Sequence, residues 1–126
     1  MEKLDEGLVS ALLQVEPRIR TIHLIVREGN DFVVKDHWAK EEIQDFYGTE
    51  DRVHDFLKLG PAVLIGASET IKDIVGELRR ITVTYDKVTV TYVPLNDASN
   101  IITVSIPTEA HDSIPDLALK IHKLAA

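Results

Sequence analysis

The most constraining feature of the chain is a segment in which apolar residues and threonines alternate on either side of a central Asp-Lys pair. It runs from Ile81 to Tyr92 and reads ITVTYDKVTVTY. If Asp86-Lys87 forms the turn, Ile81 pairs with Tyr92, and every apolar side chain falls on one face while every threonine falls on the other. The segment is therefore predicted to be a β-hairpin with a strongly specified register.

The composition is that of one globular domain spanning residues 1–126, with 44% hydrophobic and 28% charged residues. There is no cysteine, which removes disulfides, thiolate nucleophiles and thiolate metal sites and is typical of an intracellular protein. The N-terminal stretch MEKLDEGLVS mixes charges of both signs and lacks a long apolar run. It predicts neither a secretory signal nor a membrane span, so we expect a cytoplasmic protein.

The charge balance argues against two classes of partner. Fourteen basic and twenty-one acidic side chains give a net charge of −7, and a surface of that sign repels phosphate backbones unless it carries a concentrated basic patch. The candidate patches are Arg18/Arg20/Arg27 and Arg79/Arg80, and neither is interleaved with aromatic residues. We therefore expect no nucleic-acid partner and no membrane partner.

Hydrophobic periodicity and turn residues divide the chain into helices and strands. In order these are a helix over Glu2–Val15, strands over Ile19–Arg27 and Asp31–Trp38, a helix over Ala62–Leu78, two hairpin strands of which Pro94 ends the second, a strand over Ile101–Ile106, and a helix from about Ile114. Short connections favour antiparallel neighbours. The predicted fold class is α+β, with the order α-β-β-α-β-β-β-α: a five-stranded antiparallel sheet with helices on both faces.

The predicted central helix carries an apolar stripe, which consists of Leu64, Ala67, Ile71, Ile74, Val75 and Leu78. Small residues at one end of this helix, around Gly66, allow another backbone to approach closely. Two interpretations remain open. The stripe is either a packing surface for another chain or a tight helix-on-sheet contact inside one subunit.

No motif in the chain amounts to a catalytic, cofactor-binding or metal-binding signature. His23 lies inside a predicted strand and is expected to be a partly buried structural residue, and His37 near Glu41 and Glu42 lacks a metal-ligand spacing. Gly66-Ala67-Ser68 falls within a helix, not at a strand-to-helix turn. A hydrolase would require two or more of His23, His37 and His54 to converge with carboxylates in one cleft.

A second functional class is a small-molecule-sensing module of the profilin or PAS kind, with a ligand held between sheet and helix. The residues that would line such a pocket form the bulky face of the hairpin. They are Ile81, Val83, Tyr85, Val90 and Tyr92. A packed core is the more ordinary use of such a face.

The order of elements resembles the Roadblock superfamily, the dynein light-chain roadblock type. The resemblance is carried by LVSALLQVEPRIRTIHLIVREGNDFVV, by AVLIGASETIKDIVGEL with the following RRITVTYDKVTVTYVPLNDASNIITVSI, and by the closing IPDLALKIHKLA. It implies a non-catalytic homodimer or heterodimer, without cofactor, that binds a small Ras-like GTPase or a related motor or signalling protein. The implied dimer interface combines the central helix with the first hairpin strand: Leu64, Ala67, Ile71, Ile74, Ile81, Thr82, Val83, Thr84 and Tyr85.

The hairpin supports one part of this expectation on physical grounds alone. The strand from Ile81 to Tyr85 contains no proline and no inward-pointing charge. A regular strand of this kind at a sheet edge invites pairing with another chain unless it is covered. A closed two-fold pairing with a second copy would remove that exposed edge.

Overall fold

The computed structural model describes residues 2–43, 57, 66, 70–96 and 98–125. The helices are α1 (Glu6–Val15), α2 (Lys72–Val75) and α3 (Ile114–Ala125), the last preceded by a 3-10 helix over Thr108–Ser113. The strands are β1 (Thr21–Glu28), β2 (Asp31–Ala39), β3 (Ile81–Thr84), β4 (Val88–Leu95) and β5 (Asn100–Pro107). No helix within these ranges is long and apolar enough to cross a membrane.

The five strands form one antiparallel sheet in the order β2-β1-β5-β4-β3. This arrangement confirms the predicted α+β class. The hairpin register is also confirmed, because Ile81 pairs with Tyr92 and Val83 with Val90. The N–H of Tyr85 donates to the carbonyl of Val88 at 2.9 Å and closes the turn. The two edge strands of the sheet are therefore β2 and β3.

Apolar side chains bury both faces of the sheet. On one face, residues of α1 and α3 such as Leu12 and Leu117 pack on the central strands. On the other face, a second cluster joins Ile25, Tyr92 and Ile101 to Leu57. The first five residues of β1 are all buried, which confirms that this strand is covered on both sides.

The first helix begins later than its apolar spacing predicts. It starts at Glu6, because Asp5 takes an extended backbone conformation and its carboxylate accepts a hydrogen bond from the N–H of Gly7. It ends at Val15, and Glu16 then turns the chain. The Glu16 carboxylate accepts hydrogen bonds from the backbone and guanidinium of Arg18, and these bonds lower the pKa of Glu16.

The prediction that Pro94 ends the second hairpin strand is wrong. β4 continues to Leu95, and Pro94 pairs with Ile101 of β5. Because the N–H of each alternate residue of β4 points towards β3, the N–H that proline lacks would lie on the β3 side of the strand. β3 reaches only as far as Tyr92, so the missing donor costs the sheet no hydrogen bond.

The predicted helix over Ala62–Leu78 is not continuous: Thr70 and Ile71 form a turn, Lys72–Val75 is a separate helix of four residues, and it ends three residues before Leu78. The next residue, Gly76, has φ of 89°, a conformation that favours glycine and stops a helix. Leu64, Ala67 and the Gly60-Pro61 pair lie outside the described residues.

Candidate interaction site

β3 presents two chemically different faces, and no strand of the described residues pairs with its outer edge. Ile81 and Val83 are half-buried against the second apolar cluster, whereas Thr82 and Thr84 are exposed on the opposite face. The hydrogen bond from Tyr85 to Val88 fixes the alternation along the strand, so the backbone groups of Thr82 and Thr84 point away from β4. These two residues offer donors and acceptors to a further strand.

The other edge of the sheet is built differently. The register of β2 with β1 shifts between Leu24 and Ile25, where Lys35 of β2 is skipped. Lys35 and Asp31 are exposed charged residues on this strand, and Lys35 lies in ion pairs with Glu28 and Glu2. Bulges and charges are the usual means by which an edge strand avoids pairing with another chain. β3 has neither of these protections.

The segment just before β3 carries exposed apolar side chains. Ile71, Ile74 and Val75 are 48%, 84% and 64% exposed. Of the two interpretations of the stripe, a contact inside the subunit does not hold for these residues, because the chain turns at Gly76 and, of the described stripe residues, Leu78 alone joins the second apolar cluster. An apolar group this exposed, next to an open strand edge, is typical of an interaction surface.

Thr108, which no sequence pattern indicates, supports the hairpin turn. Neither Asp86 nor Lys87 has a positive φ, so the turn is not of the mirror-image type that fits a two-residue hairpin best. Thr108 supplies compensating bonds. Its N–H donates to the carbonyl of Lys87 at 3.1 Å, and its hydroxyl donates to the carbonyl of Tyr85 at 2.6 Å.

The hydroxyl of Thr108 also forms a hydrogen bond with a buried residue, Thr89. The Oγ1 atoms of Thr89 and Thr108 are 3.0 Å apart, and Thr89 is fully buried. Because Thr108 gives its only hydroxyl proton to Tyr85, Thr89 is the donor in this pair. No local pattern signals this contact, because Thr108 and Tyr85 are 23 positions apart.

Two residues of the bulky hairpin face, Val90 and Tyr92, are buried, whereas Ile81 and Val83 are half-buried and Tyr85 is exposed. Tyr92 is 1% exposed and lies in the cluster with Val90 and Leu57. This burial, together with the nearby Tyr85, raises the pKa of Tyr92 to about 12. A cleft of about 730 Å³ lies between α1 and β2 and is lined by Val9, Leu13 and Trp38 among others. That cleft is on the opposite side of the sheet from the pocket that a sensor module would need.

Two of the histidines, His23 and His37, form a structural pair. His23 is 1% exposed, more buried than predicted, and its ring stacks on that of His37 across the β1–β2 ladder, with centroids 5.8 Å apart. His54 lies outside the described residues. Within the part of the chain that the structure describes, no three His, Asp or Glu side chains gather closely enough to hold a metal ion.

Comparison with solved structures identifies the architecture. The Roadblock/LC7 domain from Streptomyces avermitilis superposes with a TM-score of 0.61 at 16% identity, over 96% of this chain and 94% of that one. The fold is of the Roadblock/LC7 type. Myxococcus xanthus MglB, the next Roadblock-type neighbour, has a TM-score of 0.53 at 10% identity, over 96% of this chain and 91% of its own. No protein-family model matches the chain, and no curated protein matches it significantly. At these identities the similarity shows the Roadblock fold alone.

Proposed function

We propose that this chain, as a single Roadblock-like domain over residues 1–126, is a cytoplasmic, non-catalytic scaffold or regulator that works as a dimer. Two copies join through β3 and the central helix, and the pair binds a small Ras-like GTPase or a related signalling or motor protein. The proposed interface comprises Leu64, Ala67, Ile71, Ile74, Ile81, Thr82, Val83, Thr84 and Tyr85.

The observation that carries the proposal is the contrast between the two sheet edges. β2 is protected by an irregular register and by charge, whereas β3 has an open edge preceded by the exposed side chains of Ile71, Ile74 and Val75. Pairing β3 with a second β3 would satisfy its outward backbone groups and extend the sheet across a two-fold axis. The exposed apolar residues would be covered in the same step.

Sedimentation velocity at micromolar concentration tests the dimer. We expect a species of about 28 kDa, twice the 14.1 kDa of one chain. Ile74→Asp should shift this species to the monomer without unfolding it, because Ile74 is 84% exposed and its substitution disturbs no intramolecular core. Leu119→Asp is the matched control, since Leu119 is an exposed apolar residue on α3, 55% exposed, and lies outside the proposed interface.

A wild-type species that sediments only at 14.1 kDa would contradict the dimer. Equal effects of the two aspartate substitutions would show that the interface lies elsewhere.

A binding assay tests the partner. The dimer is immobilised, and purified small GTPases of the native host, loaded with GDP or with a GTP analogue, are passed over it. The Roadblock-type fold supports this choice of partner class. We expect retention that depends on the bound nucleotide, because a regulator must distinguish the two states of the GTPase. Equal, background-level retention of every GTPase in both nucleotide states would overturn the partner assignment while leaving the dimer untouched.

A further inference from the structure

We propose that two copies pair along β3 in a single register, centred on Val83, and that Arg80 and Asp86 make this pairing selective for identical chains. The inference rests on the proposed function, since it specifies how the dimer forms. It concerns residues that lie two positions beyond each end of the Thr82–Thr84 segment.

Symmetry restricts the possible registers to a few. When two identical strands pair antiparallel about a two-fold axis perpendicular to the sheet, the axis passes between a residue and its own copy. One residue of β3 must therefore face itself. Thr82, Val83 and Thr84 are the central candidates in a strand that spans Ile81–Thr84.

Within the strand, the register centred on Val83 places apolar residues opposite apolar residues and threonine opposite threonine. On the apolar face, Val83 meets its own copy and Ile81 meets Tyr85. On the other face, Thr82 meets Thr84, and because their backbone groups point outward, the two symmetric pairs form four hydrogen bonds. Threonine pairs and aromatic–β-branched pairs are favourable across antiparallel strands.

The two neighbouring registers mismatch these faces. Centring on Thr82 places Tyr85 opposite Arg79 and Thr84 opposite Arg80. Centring on Thr84 instead places Thr82 opposite Asp86 and leaves Ile81 opposite Lys87. Each alternative sets an apolar side chain against a charged one.

The Val83 register also brings opposite charges together. In this register Arg80, just before β3, lies across from Asp86 of the other copy, in the turn just after it. Both residues are exposed, and in the part of the chain that the structure describes neither belongs to an ion pair. Because every copy supplies one arginine and one aspartate, two identical chains form two such pairs, whereas a chain without these charges at both positions forms fewer.

At the next position outward, the same register places two like charges opposite each other. Arg79 lies across from Lys87 in this register, at the rim beyond the strand. This like-charged pair provides an internal control, because Arg79→Glu and Arg80→Glu change the charge equally at adjacent positions. Arg79→Glu should leave the dimer as tight or tighter, whereas Arg80→Glu should weaken it about tenfold or more at low salt.

Disulfide cross-linking of single-cysteine variants tests the register directly, since the chain contains no cysteine of its own. A residue that faces its own copy in this pairing has a Cα–Cα distance of roughly 4.5–5.5 Å, within reach of a disulfide. A residue displaced by one position lies about 8 Å from its copy, which is too far. We expect rapid oxidative cross-linking of Val83→Cys and little of Thr82→Cys or Thr84→Cys.

Charge exchange tests the selectivity. Arg80→Glu and Asp86→Arg each place like charges together in a homodimer, so each variant alone should form a weaker homodimer than the wild type. Mixing the two variants should restore a dimer that contains one of each, since both ion pairs then re-form with reversed polarity on one side. Native mass spectrometry of chains with different tags distinguishes this heterodimer from the two homodimers.

The outcomes separate the register from the dimer itself. Cross-linking of Thr82→Cys or Thr84→Cys in place of Val83→Cys would overturn the register while the dimer stands. Random assortment of the charge variants would overturn the selectivity. A wild-type protein that sediments as a monomer would remove the proposed dimer, and this inference with it.

Discussion

At the residue scale, Tyr92 shows how burial in this fold determines a chemical property. Its side chain belongs to the second apolar cluster, is 1% exposed, and has its pKa raised from 10.0 to about 12. The folded state therefore keeps the phenolic proton after the unfolded chain has lost it. Stability from this group is complete below pH 10 and is lost as the pH rises towards 12.

We expect this residue alone to contribute roughly 3 kcal/mol of pH-dependent stability at most, for a pKa shift from 10.0 to about 12. Urea unfolding of the wild type and of Tyr92→Phe between pH 8 and pH 12 measures it. The stability of the wild type relative to the variant should fall across the upper part of this range. A difference that stays constant with pH would show that Tyr92 does not titrate as the structure requires.

At the scale of elements, the hairpin turn and the 3-10 helix form one unit through Thr108. Its hydroxyl donates to Tyr85 and accepts from the buried Thr89. Thr108→Val retains the shape of the side chain but leaves the Thr89 hydroxyl without this acceptor. We expect a loss of about 1–2 kcal/mol in the free energy of unfolding, measured by urea titration at one fixed protein concentration.

Thr108→Ser is the matched control, because it keeps the hydroxyl. If valine and serine gave equal stability, the hydroxyl would have no role in holding the turn. Hydrogen exchange adds a local readout. In Thr108→Val, the N–H of Tyr85 should exchange faster, since the turn that it closes has lost a bond to the rest of the fold.

The elements differ in how far the sequence could predict them. The register of the hairpin was predictable because a slip of one residue would move all of its apolar side chains to the wrong face. The position of Pro94 inside β4 was not predictable, since a proline is tolerated there only because β3 stops before it. The exposure of Ile74 was equally hidden, because helical spacing shows that residues share a face and not whether anything covers that face. Thr108 acts over a long range and leaves no local pattern.

At the scale of the whole molecule, the proposed dimer couples folding to concentration. Each tenfold increase in protein concentration should stabilise a folded dimer by about 1.4 kcal/mol relative to unfolded monomers, so its Tm should rise. Differential scanning calorimetry of the wild type across two decades of concentration tests this, with Ile74→Asp as the comparison. A Tm for Ile74→Asp that rises as steeply as that of the wild type would contradict the assigned interface.

The irregular, charged edge at β2 has a consequence for how large an assembly can grow. A sheet with two receptive edges would add copies indefinitely and build a filament. Here the edge at Lys35 is irregular and charged, so in the proposed dimer each molecule would use β3 alone for strand pairing. Both ends of the combined sheet would then be protected β2 strands, and growth by strand addition would stop at two.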